Sequence, residues 1–121
     1  MASTYGTPEL TDVLFESNHT QYNGAGMLNQ SSHPVLVNVI FRGNSASSYG
    51  GGLHNLASHP TLTNVLFSGN YAGFYGGALY NEYHSLPSLM NVTMSSNHAG
   101  QDGGGIYNST ACIVTLINSL L

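Results

Sequence analysis

Two motifs return in the same order four times along this chain, one period apart. Pro8-Glu-Leu-Thr-Asp-Val-Leu-Phe15 is repeated as Pro34-Val-Leu-Val-Asn-Val-Ile-Phe41, as Pro60-Thr-Leu-Thr-Asn-Val-Leu-Phe67 and as Pro87-Ser-Leu-Met-Asn-Val-Thr-Met94. The second motif is Gly24-Ala-Gly-Met-Leu-Asn29, then Gly50-Gly-Gly-Leu-His-Asn55, Gly76-Gly-Ala-Leu-Tyr-Asn81 and Gly103-Gly-Gly-Ile-Tyr-Asn108. Prolines 8, 34 and 60 lie 26 residues apart, and the step to Pro87 is 27. A fixed period of this size specifies a repeat architecture, in which each unit buries its apolar face against the next copy.

The content of one unit decides which repeat. Proline lacks the N–H a strand interior needs, so it belongs at a strand's first position or at a corner. Val13 and Phe15 alternate at the two-residue period of a strand with one buried face. The step of three from Leu10 to Val13 calls for a bend near Asp12. Small-Asn pairs (Ser17-Asn18, Gly43-Asn44, Gly69-Asn70, Ser96-Asn97) then signal a turn. A helical unit is disfavoured by three or four glycines per repeat, each costing about 1 kcal/mol in a helix interior. A propeller blade needs ~40 residues or more per repeat. Three short strands and three corners remain, which is one coil of a parallel β-helix.

The expected fold is therefore all-β, a right-handed parallel β-helix (β-solenoid) with about 26 residues per coil. It has four full coils and a partial fifth: a lead at 1–7, coils at 8–33, 34–59, 60–86 and 87–113, and a remainder at 114–121. Residues one period apart then lie over one another at about 4.8 Å. Columns headed by Leu10, Val13, Phe15 and Met27 should wall the core. Two asparagine columns, Asn18, Asn44, Asn70, Asn97 and Asn29, Asn55, Asn81, Asn108, should form amide ladders. A third is Asp12, Asn38, Asn64, Asn91, Asn118. Each Asn is also suited to left-handed φ at a corner. Four of these asparagines open glycosylation sequons (Asn18, Asn29, Asn91, Asn108), but a glycan would displace a stacked amide.

The stretch Pro60-Thr-Leu-Thr-Asn-Val-Leu-Phe-Ser-Gly-Asn70, followed by Tyr75-Gly-Gly-Ala-Leu-Tyr-Asn81, resembles the repeats of bacterial surface and adhesin-type proteins with right-handed parallel β-helices, within the pectin-lyase-like superfamily. The pairing of Phe-x-x-Asn with Gly-Gly-Ala-Leu is similar to the repeats of chlamydial polymorphic outer-membrane proteins. The resemblance runs from Pro8 to Leu121. It implies right-handed winding, an extracellular or cell-surface setting, and adhesive or structural work. It carries no catalytic residue onto any position of this chain.

Composition narrows function further. Charged residues are 5% of the chain, Arg42 is the one Lys or Arg, and the formal net charge is −4. Nucleic acid recognition needs a basic footprint, which is missing. No apolar run reaches the ~18 residues of a membrane span, and Met1-Ala-Ser-Thr-Tyr5 lacks the features of a signal peptide. Cys112 stands alone and is expected to act as a small buried hydrophobe. Glu9, Asp12 and Glu16 cluster in one coil, but Val35, Asn38 and Arg42 replace them in the next, so no stacked acid site arises. His33 and His59 share a column that offers two imidazoles to a metal, while a copied turn residue explains them as well. No catalytic, cofactor or metal site is assigned.

The expected function is a non-catalytic structural or adhesive module; its short N-terminal lead and its stop inside a core strand, with no cap, are expected of either a fragment of a longer β-helix or a subunit that stacks head to tail with itself, the latter being favoured. A surface glycan or protein receptor is a further expected partner. Leu14, Ile40, Leu66 and Leu120 should point outward as an apolar contact stripe, joined by Tyr49 and Tyr75. The alternative is a carbohydrate-binding or carbohydrate-cleaving fragment, with Tyr22, Tyr49, Phe74 and Tyr75 stacking on sugar rings.

Overall fold

The computed structural model describes every residue, 1–121, and contains strands and turns but no helix. The strands stack into four parallel sheets that form the sides of a solenoid. The first sheet holds Ala2–Thr4, Met27–Gln30, Leu53–Leu56, Leu79–Glu82 and Ile106–Asn108. The second holds Glu9–Thr11, Val35–Val37, Thr61–Thr63, Ser88–Met90 and Thr115–Ile117. Leu14–Glu16, Ile40–Arg42, Leu66–Ser68 and Thr93–Ser95 make the third. The fourth is made of two-residue strands, His19–Thr20, Ser45–Ala46, Tyr71–Ala72 and His98–Ala99.

Register follows the sequence period. Leu10, Leu36, Leu62, Leu89 and Leu116 are successive partners, as are Phe15, Phe41, Phe67 and Met94. Met27, Leu53, Leu79 and Ile106 complete the set. These columns and the valines Val39, Val65 and Val92 form one continuous core. Phe41 stacks face to face on Phe15 (4.9 Å) and on Phe67 (4.8 Å), so the ring spacing equals the coil spacing. Each fully buried apolar side chain contributes roughly 1.5–3 kcal/mol.

Each coil has four strands rather than the expected three. The extra side lies in the variable stretch, where Thr20, Ala46, Ala72 and Ala99 are register partners. Ala46 and Ala72 are fully buried. This strand is too short to show an alternating pattern, and alanine is a weak hydrophobic signal. Ala2–Thr4, within the expected lead, pairs in register with Leu28–Gln30 and so adds a strand to the first sheet.

Corners use left-handed backbone, though not at all the expected residues. Asp12, Asn38, Asn64, Asn91 and Asn118 have φ of 57°, 55°, 53°, 53° and 47°. At the next corner the left-handed residue is the small one before the ladder asparagine: Ser17, Gly43, Gly69 and Ser96. The buried asparagines themselves are not left-handed. The extra residue in the 27-residue step is His84, which follows Tyr83 in a corner where both have positive φ. Glycine at 77 has a steric cause: a Cβ there would collide with the carbonyl oxygens of Gly104 and His98. Two coil walls meet at that point with room for backbone only.

Candidate functional site

The polar columns are the only sites with composed chemistry, and the deepest is the Asn44 column. Its neighbours Asn18, Asn70 and Asn97 continue it in both directions. Asn44 donates from Nδ2 to the Phe15 carbonyl (2.9 Å) in the preceding coil and to Asn70 Oδ1 (3.0 Å) in the next. Asn70 repeats this with Phe41 O and Asn97 Oδ1, both at 2.9 Å. Asn18 donates to Asn44 Oδ1 at 2.9 Å, and Asn97 to Phe67 O at 3.0 Å. The Phe-x-x-Asn spacing therefore places an amide where it ties three coils together. Asn44 and Asn70 are buried, and a buried amide left unpaired costs about 1–3 kcal/mol.

A second ladder runs Asn29, Asn55, Asn81, Asn108, each Nδ2 donating to the next Oδ1 at 2.8, 2.9 and 2.8 Å. Its first Oδ1, on Asn29, is buried without a donor, because Ser3 occupies the preceding position. The Asp12 column lies outside. There Asn38, Asn64 and Asn91 donate backward to Asp12, Asn38 and Asn64 at 3.0, 3.2 and 3.2 Å.

A fourth ladder was hidden in the sequence. Ser32 N–H donates to Ser58 Oγ, and Ser58 N–H to Ser85 Oγ, both at 3.1 Å. Cys112 continues this column, since Ile113 N–H donates to Ser85 O as Leu86 N–H does to Ser58 O, and its thiol donates to Thr110 O at 3.4 Å. Cys112 is thus a ladder member and only half-buried, rather than a small buried hydrophobe. Burial holds its thiol pKa above the ordinary value. The missed signal was the alignment of Cys112 with the serines before Pro34, Pro60 and Pro87.

The aromatic residues make an outer stack. Tyr49 lies face to face with Tyr80 at 4.8 Å, and Tyr75 with Tyr107 at 4.5 Å. Tyr49 and Tyr75 also stack on each other at 5.8 Å. Their faces are turned to one another rather than to solvent, so these rings present mainly edges outward. Tyr22 and Phe74 are the exposed members of the group. Under the stack, His54 places Nε2 3.0 Å from Glu82 Oε2, with Tyr80 against the imidazole edge. Desolvation lowers the His54 pKa against the opposing hydrogen bond and charge of Glu82. Burial raises the Tyr80 pKa.

The acids and remaining histidines are absorbed as well. Arg42 pairs with Glu16 at 2.7 Å on the surface, and Asp12 accepts from Asn38. His33 and His59 stack at 4.8 Å with nearly parallel planes. Each uses Nδ1 to accept a backbone N–H, which puts the neutral ring's proton on Nε2 and takes both nitrogens out of ready metal coordination. No three of His, Cys, Asp and Glu converge, and the surface has no pocket. No helix is long and apolar enough to cross a membrane. Leu14, Ile40, Leu66, Thr93 and Leu120 are register partners on the outside, Leu14 and Leu120 exposed and the middle three half-buried.

Comparison with known proteins agrees with this geometry. Residues 38–56, 64–82 and 91–109 each match the family model of the Chlamydia polymorphic membrane protein (Chlamydia_PMP) repeat. Each match begins at a left-handed asparagine corner and runs through the first ladder's amide and the glycine block to the second asparagine ladder. No curated protein and no solved structure matches the chain. The chain is a parallel β-solenoid in which three segments match the Chlamydia polymorphic membrane protein repeat.

Proposed function

We propose that this solenoid is a non-catalytic structural and adhesive segment of a protein displayed at the cell surface. The observation that supports it is where the repeat motif is used. Phe, Asn, the glycine block and the closing Asn are all engaged in contacts between coils, which leaves none of them for a substrate. The family name places related repeats in membrane proteins, and this supports a surface setting.

Self-association is part of the proposal. In these two ladders each coil donates forward from an asparagine Nδ2 and accepts from behind on the same amide's Oδ1, so any coil is complementary to another of its kind. Low charge leaves little repulsion between copies. The expected material is head-to-tail stacks, with Leu14, Ile40, Leu66, Leu120, Tyr49 and Tyr75 available to a receptor. Electron microscopy and sedimentation over a range of concentrations test this. Growing linear particles support it, and a strict monomer at high concentration contradicts it.

The carbohydrate reading has narrower support. Tyr22 and Phe74 are exposed, but sugar stacking needs free ring faces, and Tyr49 and Tyr75 spend theirs on each other. A glycan array distinguishes the two: a defined binder favours the alternative.

A further inference from the structure

We propose that the joints linking the first three coils form an acid-sensitive seam, held by imidazoles that must be neutral for their contacts to exist. The Leu86 N–H donates to His59 Nδ1 at 3.2 Å, and the His59 N–H donates to His33 Nδ1 at 3.3 Å. A backbone N–H only donates, so both Nδ1 atoms carry lone pairs. The same N–H groups also reach Ser58 O and Ser32 O, each at 3.2 Å, so these are shared bonds. A proton on Nδ1 turns acceptor into donor, facing an N–H. It also creates cations one coil spacing apart.

His54 joins the second and third of these coils from the neighbouring side. Glu82 fixes its Nε2 as donor, and its Nδ1 is buried with no partner. A second proton on this ring therefore meets no acceptor. The groups around each imidazole are few. His33 and His59 face each other, with Gly6 behind and Leu86 ahead; His84, the inserted residue, lies two residues before Leu86 in the third coil. His54 faces Glu82 and Tyr80, with Leu28 as its partner in the preceding coil. Tyr80 in turn stacks on Tyr49 and Tyr107.

Burial, and the charge His33 would bring, hold His59 below its ordinary 6.5; burial does the same for His54. The unfolded chain then takes up protons before the folded one. Stability supplied by the neutral rings is complete above the ordinary histidine range and is lost as pH falls through it. The exposed His59 corner has no acid to offset protonation as Glu82 does at His54. The asparagine ladders carry no titrating atom, so the response is local.

The test is amide hydrogen exchange on the whole chain at pH 7.5 and 5.5, corrected for intrinsic rates. Protection at the His59 and Leu86 amides should fall severalfold. Protection at Asn44 and Asn70 should hold. In the double variant His33→Asn with His59→Asn, whose side chains accept without titrating, the pH response at Leu86 should vanish. Unchanged protection in the natural chain, or a response that survives the double variant, overturns the proposal. Should the variant not fold, nitrogen NMR of the natural chain decides: His33 and His59 must be unprotonated at Nδ1 at pH 7.5, and a proton found there overturns it.

Discussion

Asn70 Oδ1 accepts two hydrogen bonds from Asn44, one from its backbone N–H and one from its side-chain amide, both at 3.0 Å. The backbone of one coil and its amide are thus tied to a single oxygen of the next. The same double bond joins Asn18 to Asn44 and Asn70 to Asn97.

Buried and exposed asparagines should therefore behave differently on truncation. Asn55→Ala leaves Asn29 Nδ2 without its acceptor and Asn81 Oδ1 without its donor, both buried. It should destabilise by about 2–5 kcal/mol. Asn64 is exposed at φ 53°, and Asn64→Gly should change stability by less than about 1 kcal/mol. Urea titrations of the two variants give the comparison.

The orphaned Asn29 Oδ1 predicts a stabilising change. Ser3→Asn sets an amide in register below it and should add about 1 kcal/mol, read as a higher urea midpoint at unchanged slope.

Glycine positions separate close approach from backbone conformation. Gly77→Ala drives a methyl group against two carbonyl oxygens and should abolish the folded state. Gly69→Ala meets nothing within 4 Å but must hold φ at 64°. It should cost about 1–2 kcal/mol. Circular dichroism and thermal melting distinguish these outcomes.

Removing the central ring of the phenylalanine stack, Phe41→Ala, should cost about 3–5 kcal/mol. Leu14→Ala on the outer stripe should stay within about 0.5 kcal/mol while weakening any surface contact made there.

Cys112 offers a chemical check. Cys112→Ser returns an oxygen to the serine ladder and should leave stability within about 0.5 kcal/mol or raise it. In the natural chain the thiol should react with a disulfide reagent more slowly than in the unfolded chain, since burial raises its pKa.

Much of this architecture was legible because stacking turns sequence period into spatial contact. Leu10 to Leu116 and the asparagine columns could be read as ladders before any coordinates. Side chains that work through unlike partners were less visible. The Ala46 and Ala72 side was lost in a stretch that looks like loop, and the serine column was masked when its last member became Cys112. His54 and Glu82 pair across 28 residues, which is not the period, so alignment of repeats could not join them. The left-handed φ that asparagine tolerates is used at Asn38 and Asn64 but not at Asn44 and Asn55, where burial and ladder bonding set the residue.

The most direct test is to detect scalar couplings across backbone hydrogen bonds by NMR. Thr61 N–H should couple to the carbonyl of Pro34, Ser88 N–H to that of Pro60 and Tyr71 N–H to that of Asn44, at separations of 2.9, 2.9 and 2.8 Å. Couplings to carbonyls four residues earlier, or to strands running the opposite way, would contradict the stacked parallel coils.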